Sequence, residues 1–283
     1  MSAKPAMTDP NSPDESPEAS RLFVTSLARG LNVLTAFWEG KPSMNLAELA
    51  DATGMTKSAI QRFTHTLLAV GYLKKDPLTK EYALAPRTLE VGLRYLQTSA
   101  LLNSATPYLH ALVRTCEETT TLSERDGLHM TYISRFPTHK EMFVNMPLGM
   151  RIPMYCTAGG RAIMSHLDPK EVTEILEQSE RVAYTPTTLT RIAEIRSAVA
   201  QAREDGFAST NGEYYTGDIT VSAAILGPSG QPLGAVNVSA PGSRWSFEEA
   251  CAGLGPQVVA AARAIGSSSA VRQLRRRGKA GGA

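Results

Sequence analysis

The chain has 283 residues, 42% hydrophobic and 20% charged, a composition for packed domains rather than a disordered polymer and long enough for two of them. No stretch approaches the roughly 20 consecutive apolar residues that span a bilayer. The first twenty residues lack the apolar segment of a secretory signal, and Cys116, Cys156 and Cys251 show no CxxC spacing, so neither a disulfide framework nor a zinc site is indicated and a cytoplasmic location is expected.

The net charge of +2 is unevenly spread. Residues 21–100 carry ten Lys and Arg against six Asp and Glu, and residues 101–270 thirteen against seventeen. That asymmetry is expected if only the N-terminal part meets a polyanion. Residues 1–22, rich in Pro, Ser and acid, read as a disordered tail. A second, basic tail is expected over 271–283, with Arg272, Arg275, Arg276, Arg277 and Lys279 and no acid; it reads as a solvated end.

Between residues 23 and 85 the pattern predicts three helices and a hairpin. SLARGLNVLTAFWEGKP places Leu27, Leu31, Leu34 and Trp38 at helical spacing, and that stripe is expected to face the core. NLAELADATG offers Asn45 as N-cap with Glu48 three residues on, then Gly54 for a sharp turn. A third helix over about 56–70 turns Ile60, Phe63, Leu67 and Leu68 inward and Lys57, Ser58, Gln61, Arg62 and His65 outward. GYLKKD and KEYALA then flank Pro77–Thr79 as a β-wing.

This order is a winged helix-turn-helix, and a major groove about 12 Å wide admits one such helix. Gln61 and Arg62 suit adenine and guanine edges; Thr56, Lys57, Ser58 and His65 suit mixed or phosphate contacts, with Arg29, Lys74 and Lys75 adding charge. Any one of these residues also reads as ordinary solvated surface; the five polar residues sharing one helix face carry the argument.

Residues 86–104 read as a linker helix with Leu89, Leu93 and Leu96 on one side, and residues 105–270 as a second domain. A helix bearing Leu109, Leu112, Val113 and Cys116 opens it, which makes Cys116 a core residue. TLSER and HMTYISRF flank Asp126-Gly127 as a hairpin, EMFVNM continues the extended pattern, and helices fit 169–178 and 189–205. FASTN, ITVSAAILG and LGAVNVSA are strands, and a helix over about 246–265 closes the chain. The fold class is α+β with an antiparallel sheet.

A ligand pocket is expected on that sheet. Alternation puts Asn237 and Ser239 on one strand face and Val236 and Val238 on the other. The loop 149–160 runs into a helix start placed at Gly160-Arg161, whose N–H groups would favour an anion. Thr157 would add a hydroxyl there and Arg151 or Arg161 a charge, while Met146, Met154, Ile219 and Val221 cover an apolar part. NGEYYTGDIT suits a pocket rim. Each residue also has a plain packing role open to it. The ligand favoured is a small carboxylate.

Catalysis has little support. GxSxG, GxxxxGK[ST], HExxH and GxGxxG are all missing, so no cofactor or metal is called for. An enzyme would have to use Cys156, with His129, His139 or His166 as its base.

FVTSLARGLNVLTAF, NLAELADATGMTKSAIQRFTHTLLAVGYL and YALAPRTLEVG resemble the DNA-binding region of the IclR family of bacterial transcriptional regulators, and the similarity runs from about 23 to 267. Within the family it is closest to the branch controlling catabolism of aromatic acids. The resemblance implies a GAF-like or profilin-like effector domain, a homodimer or dimer of dimers, and a pseudo-palindromic operator on double-stranded DNA. A family motif matches Gly149, Pro153, Thr157, Gly160 and Arg161, and ligand positions map to Ala158, Gly159, Asn211, Ile219, Val221 and Ser239. An amide at Asn211 replaces the acid of some members.

Overall fold

The computed structural model describes residues 20–38, 40–140, 144–269 and 271. The expected tails lie outside these residues, save for residues 20–22 and Val271, and so does the Glu141–Phe143 part of EMFVNM. Two compact units meet between Arg94 and Tyr95.

The first unit contains α1 (Thr25–Thr35), β1 (Ser43–Met44), α2 (Leu46–Thr53), α3 (Lys57–Ala69), β2 (Leu73–Lys75) and β3 (Tyr82–Leu84). The Asn45 carboxamide accepts the N–H of Ala47 and Glu48, and Glu48 returns a bond to the Asn45 N–H at 2.9 Å, closing a capping box. Gly54 ends α2 at φ +66°, where a Cβ would be strained, and Thr56 caps α3 two residues later. Val33, Leu49, Ile60, Leu73 and Tyr82 form the core, with Leu34, Phe63, Leu67 and Leu68 against it.

Two features depart from expectation. Leu27 and Leu31 are 63% and 55% exposed, and Trp38 is exposed as well; Val33 fills the core instead. This three-turn helix carries two apolar stripes, and spacing alone does not tell which one its own domain uses. The wing also has a third strand, in the order β1-β3-β2; at two residues β1 is too short to leave a periodic signal.

A 3-10 turn (Pro86–Thr88) leads into α4 (Leu89–Thr98), on which Leu89 and Leu93 remain exposed while Leu96 packs on the sheet core. α5 (Ala100–Cys116) starts earlier than the expected boundary at 105. Ser99 caps it, accepting the Leu102 N–H at 3.1 Å, and Leu101 is already core. The limit drawn after residue 104 therefore cuts a helix.

The second unit is built on one six-stranded antiparallel sheet in the order β6-β5-β4-β9-β8-β7. Its strands are β4 (Thr119–Asp126), β5 (His129–Phe136), β6 (Arg151–Pro153), β7 (Ala208–Asn211), β8 (Asp218–Leu226) and β9 (Pro232–Pro241). α5 and α9 (Phe247–Gly266) cover one face through Leu109, Leu112, Leu254 and Val258 against Ile219, Val221, Val236 and Val238. The other face carries α6 (Ala158–Met164), backed by α7 (Pro169–Gln178) and α8 (Ile192–Asp205). Described residues 144–146 of EMFVNM form no strand; the edge strand is β6, read from sequence as irregular. No helix among the described residues is long and apolar enough to cross a membrane.

Candidate DNA-binding surface and effector pocket

On α3, Lys57, Ser58, Gln61, Arg62 and His65 are all exposed. The side chains of Lys57, Gln61, Arg62 and His65 form no hydrogen bond or ion pair among the described residues, so their polar groups are available to an outside partner. Thr56 is occupied differently: its hydroxyl caps the helix through the Ala59 N–H and lies 3.1 Å from that of Ser58. On the wing Lys74 and Lys75 are exposed, with the Lys75 ammonium 5.0 Å from the Tyr82 ring centre. Asp76 accepts the N–H groups of Leu78 and Thr79, which fixes the wing turn and holds its carboxyl below the usual range. Arg29 is exposed on α1.

The sheet face under α6 is polar in rows. Register aligns Thr121, Asn237 and Ser222 across β4, β9 and β8, and beside them Thr119, Ser239, Thr220 and Thr210 across four strands. The Asn237 amide donates to Thr121 and Ser123 at 3.1 Å and accepts from Ser222 at 2.7 Å. α6 lies close on this face. A Cβ on Gly159 would come within 2.6 Å of Asn237 Oδ1, and one on Gly160 within 2.2 Å of the Met154 carbonyl. The Gly pair thus serves close packing.

Between this face and α6 is an enclosed pocket, walled by Met130, Tyr132, Met146 and Ile152 on its apolar side and by Ser123, Thr210, Asp218, Thr220 and Asn237 on its polar side. Tyr214 and Tyr215 close it, stacked edge-on 4.9 Å apart. Its free space is about 20 Å³, room for about one water. A larger hollow of about 600 Å³ runs between β8 and the end of α9; it is an open groove lined largely by Ala and Gly, with His166, Arg263 and Ser267 at its polar positions. The enclosed pocket has the lining chemistry of a ligand site but not the volume of one, so a ligand larger than water enters only as its walls part.

Met146, Thr157, Ala158, Gly159 and Asn237 line it, as the sequence led us to expect. Ser239 lies beside it, its hydroxyl bonded to Asp218. Ile219 and Val221 do not reach it: they point into the opposite core, and their neighbours Asp218 and Thr220 take the pocket face. Asn211 likewise gives way to Thr210. A one-residue slip in register exchanges every side chain between sheet faces, and the mapped positions carry that slip. Met154 is fully buried outside the lining.

The anion site placed at Gly160 is also revised. α6 begins at Ala158 and has only seven residues, and its cap is Thr157, whose hydroxyl donates to the Pro153 carbonyl at 2.9 Å and accepts the Gly160 N–H at 3.3 Å. Arg161 is 2% exposed and forms a two-pronged pair with Glu213 at 2.6 and 2.5 Å, so its charge is spent. Arg151 pairs with Asp126 at 3.0 Å. Sequence reasoning missed Tyr132, and it placed Glu213 and Asp218 only within the rim stretch NGEYYTGDIT without singling them out; the alternation in DITVSAAIL, anchored on its buried valine, was a further signal for Asp218. Cys156 is fully buried and its thiol is pushed up to about 12 by burial, so it is no nucleophile.

A winged helix joined to a helix-covered sheet with a closed polar pocket is the build of a bacterial transcriptional regulator. Residues 26–77 match the IclR helix-turn-helix domain and residues 93–267 the bacterial transcriptional regulator IclR C-terminal family. The chain belongs to the IclR family, a family of regulators and not of enzymes. It is 33% identical to the Pca regulon regulatory protein of Pseudomonas putida over 85% of this chain and 82% of that one. Among solved structures, a transcriptional regulator from Rhodococcus sp. RHA1 superposes with a TM-score of 0.75 at 33% identity, covering 86% of this chain and 97% of the other. An IclR homolog from Microbacterium hydrocarbonoxydans, solved in complex with 4-hydroxybenzoate, shares the fold (TM-score 0.73, 19% identity, 87% of this chain and 99% of that one).

Proposed function

We propose that the protein is an effector-responsive, sequence-specific regulator of a catabolic operon, acting in the cytoplasm on a small aromatic or other carboxylic acid. The observation that carries this reading is the pairing of two features in one chain: the unpartnered polar face of α3 and the enclosed pocket under α6. Gln61 and Arg62 read base edges, Lys57, Ser58, His65, Lys74 and Lys75 hold the backbone, and Arg29 adds charge. Thr56 contributes by fixing the helix start. The chain acts as a homo-oligomer on a pseudo-palindromic site, and an effector that binds one arrangement of the assembly better changes its affinity for DNA. The identity to the Pca regulon protein supports the aromatic-acid branch.

Duplexes selected from a random library and titrated by fluorescence anisotropy test the reading. A sequence preference that shifts with millimolar 4-hydroxybenzoate is expected. Uniform affinity for all duplexes would defeat it.

A further inference from the structure

Among the described residues, no Lys, Arg or His lines the pocket assigned to an acidic effector. Its wall holds an acid instead. Asp218, half-buried at the start of β8, accepts hydrogen bonds from the hydroxyls of Ser239 and of Thr220, the latter at 2.7 Å, and pairs with no cation among the described residues. Burial pushes this carboxyl upward, against the smaller opposing pull of those two hydroxyls. Tyr132, on the same lining, is only 7% exposed, and its hydroxyl has no partner among the described residues. Burial and then the Asp218 charge raise its phenol far above the ordinary range, so it remains a donor. An unused donor beside a half-buried acid is an arrangement that a ligand would complete.

We propose that an anionic effector enters this pocket together with one proton, accepting a hydrogen bond from Tyr132 and sharing that proton with Asp218. Two carboxylates side by side cannot both ionise at low dielectric cost, and a shared proton removes the repulsion. One O–H bond forms on the carboxylate pair, and one bond to hydrogen breaks in the hydronium ion or buffer acid that gives up the proton. The other groups facing Asp218 are hydroxyls, phenols, a thiol and a paired carboxylate. Thr220 on β8 and Ser239 on β9 are hydroxyls; Tyr132 on β5 is held protonated; Tyr214 is pushed up to about 12 by burial. Tyr215 gives its hydroxyl to the Asn145 carbonyl, the Cys156 thiol is raised to about 12, and Glu213 is tied to Arg161. The inference rests on the pocket being the effector site.

Calorimetry of the full chain with 4-hydroxybenzoate and with neutral 4-hydroxybenzamide, between about pH 5.5 and 8 and in buffers of different ionisation enthalpy, tests it. The ligand carboxylate stays ionised over this range, which lies above the roughly 4 of ordinary carboxylic acids. Above the titration of Asp218 the acid should take up close to one proton and its affinity should fall toward tenfold per pH unit; below it, where the free carboxyl already holds the proton, both effects should vanish. Asp218→Asn should abolish both effects, whereas Tyr132→Phe should weaken binding about tenfold and keep the uptake. Melting curves establish that both variants fold, and the Tyr132 variant carries the test alone if the Asn variant does not. Binding of the acid with neither proton uptake nor loss of affinity anywhere up to about pH 8, or equal uptake in Asp218→Asn, overturns the inference and leaves the pocket standing. Binding of the amide alone does the same. If neither probe binds, or both bind unchanged to Met146→Trp, which plugs the pocket, the pocket reading falls and the inference with it.

Discussion

Arg62 and Gln61 lie on the second turn of α3, exposed, while Ile60 beside them is fully buried and fixes the rotation of the helix. That buried anchor is why their outward direction could be read from spacing. Arg62→Ala should cost about 1–3 kcal/mol on the specific operator and relax preference at one base pair. Lys75→Ala should weaken all sequences alike and lower the salt dependence. Titrations at several salt concentrations separate the two, and wild-type behaviour by both would remove α3 from the groove. Asp218 allows a check without ligand. Its folded-state carboxyl is raised by burial, so the folded chain holds a proton that the unfolded chain has released. Stability should therefore fall with rising pH, from the roughly 4 of an unfolded carboxyl until the folded one has titrated. Melting temperatures of wild type should drop below those of Asp218→Asn across that window and then run parallel. Curves parallel throughout would mean that Asp218 ionises as freely as in the unfolded chain.

Elements with their own local punctuation were legible in the sequence: the Asn45–Glu48 box, Gly54, the Asp126-Gly127 hairpin and the closing helix from about residue 246 all stand where their residues place them. What stayed hidden depends on partners distant in the chain. β1 exists only because β3 pairs with it, and the Gly159-Gly160 step looked like an anion cradle until Asn237, nearly eighty residues on, came to lie against it. The start of α5 is a similar case. Its Ser99 cap is a local signal, but the weight of Leu101 comes from packing on the sheet, where its Cδ2 would lie 2.9 Å from a Cβ on Gly234. A fragment over residues 99–269 should fold cooperatively by circular dichroism. A fragment starting at 105 loses that cap and about 1.5–3 kcal/mol of Leu101 burial, and should melt clearly lower. Equal melting of the two would mean that the first turn of α5 is dispensable.

For the whole molecule, the stripe on α1 that was expected to face inward is informative because it does not. Leu27 and Leu31 remain exposed one turn apart, with Leu22 and Val24 exposed just before them, and α4 leaves Leu89, Val91 and Leu93 exposed as well. Scattered exposed leucines are ordinary on a protein surface, but a row on one helix marks an interaction face. For the pseudo-palindromic operator proposed above, the economical partner for such a face is a second copy of the chain, because a two-fold axis then matches protein to DNA. Leu27→Asp with Leu31→Asp should leave Val33 and the rest of the small core untouched, so the unit keeps its fold. Self-association measured by sedimentation should weaken by at least about tenfold, the effect of placing desolvated charges in an apolar contact. Affinity for an isolated half-site should change little, while affinity for the full operator should fall, because the two heads would no longer be delivered together. An unaltered sedimentation profile, with operator binding intact, would mean that this stripe is not where the copies meet.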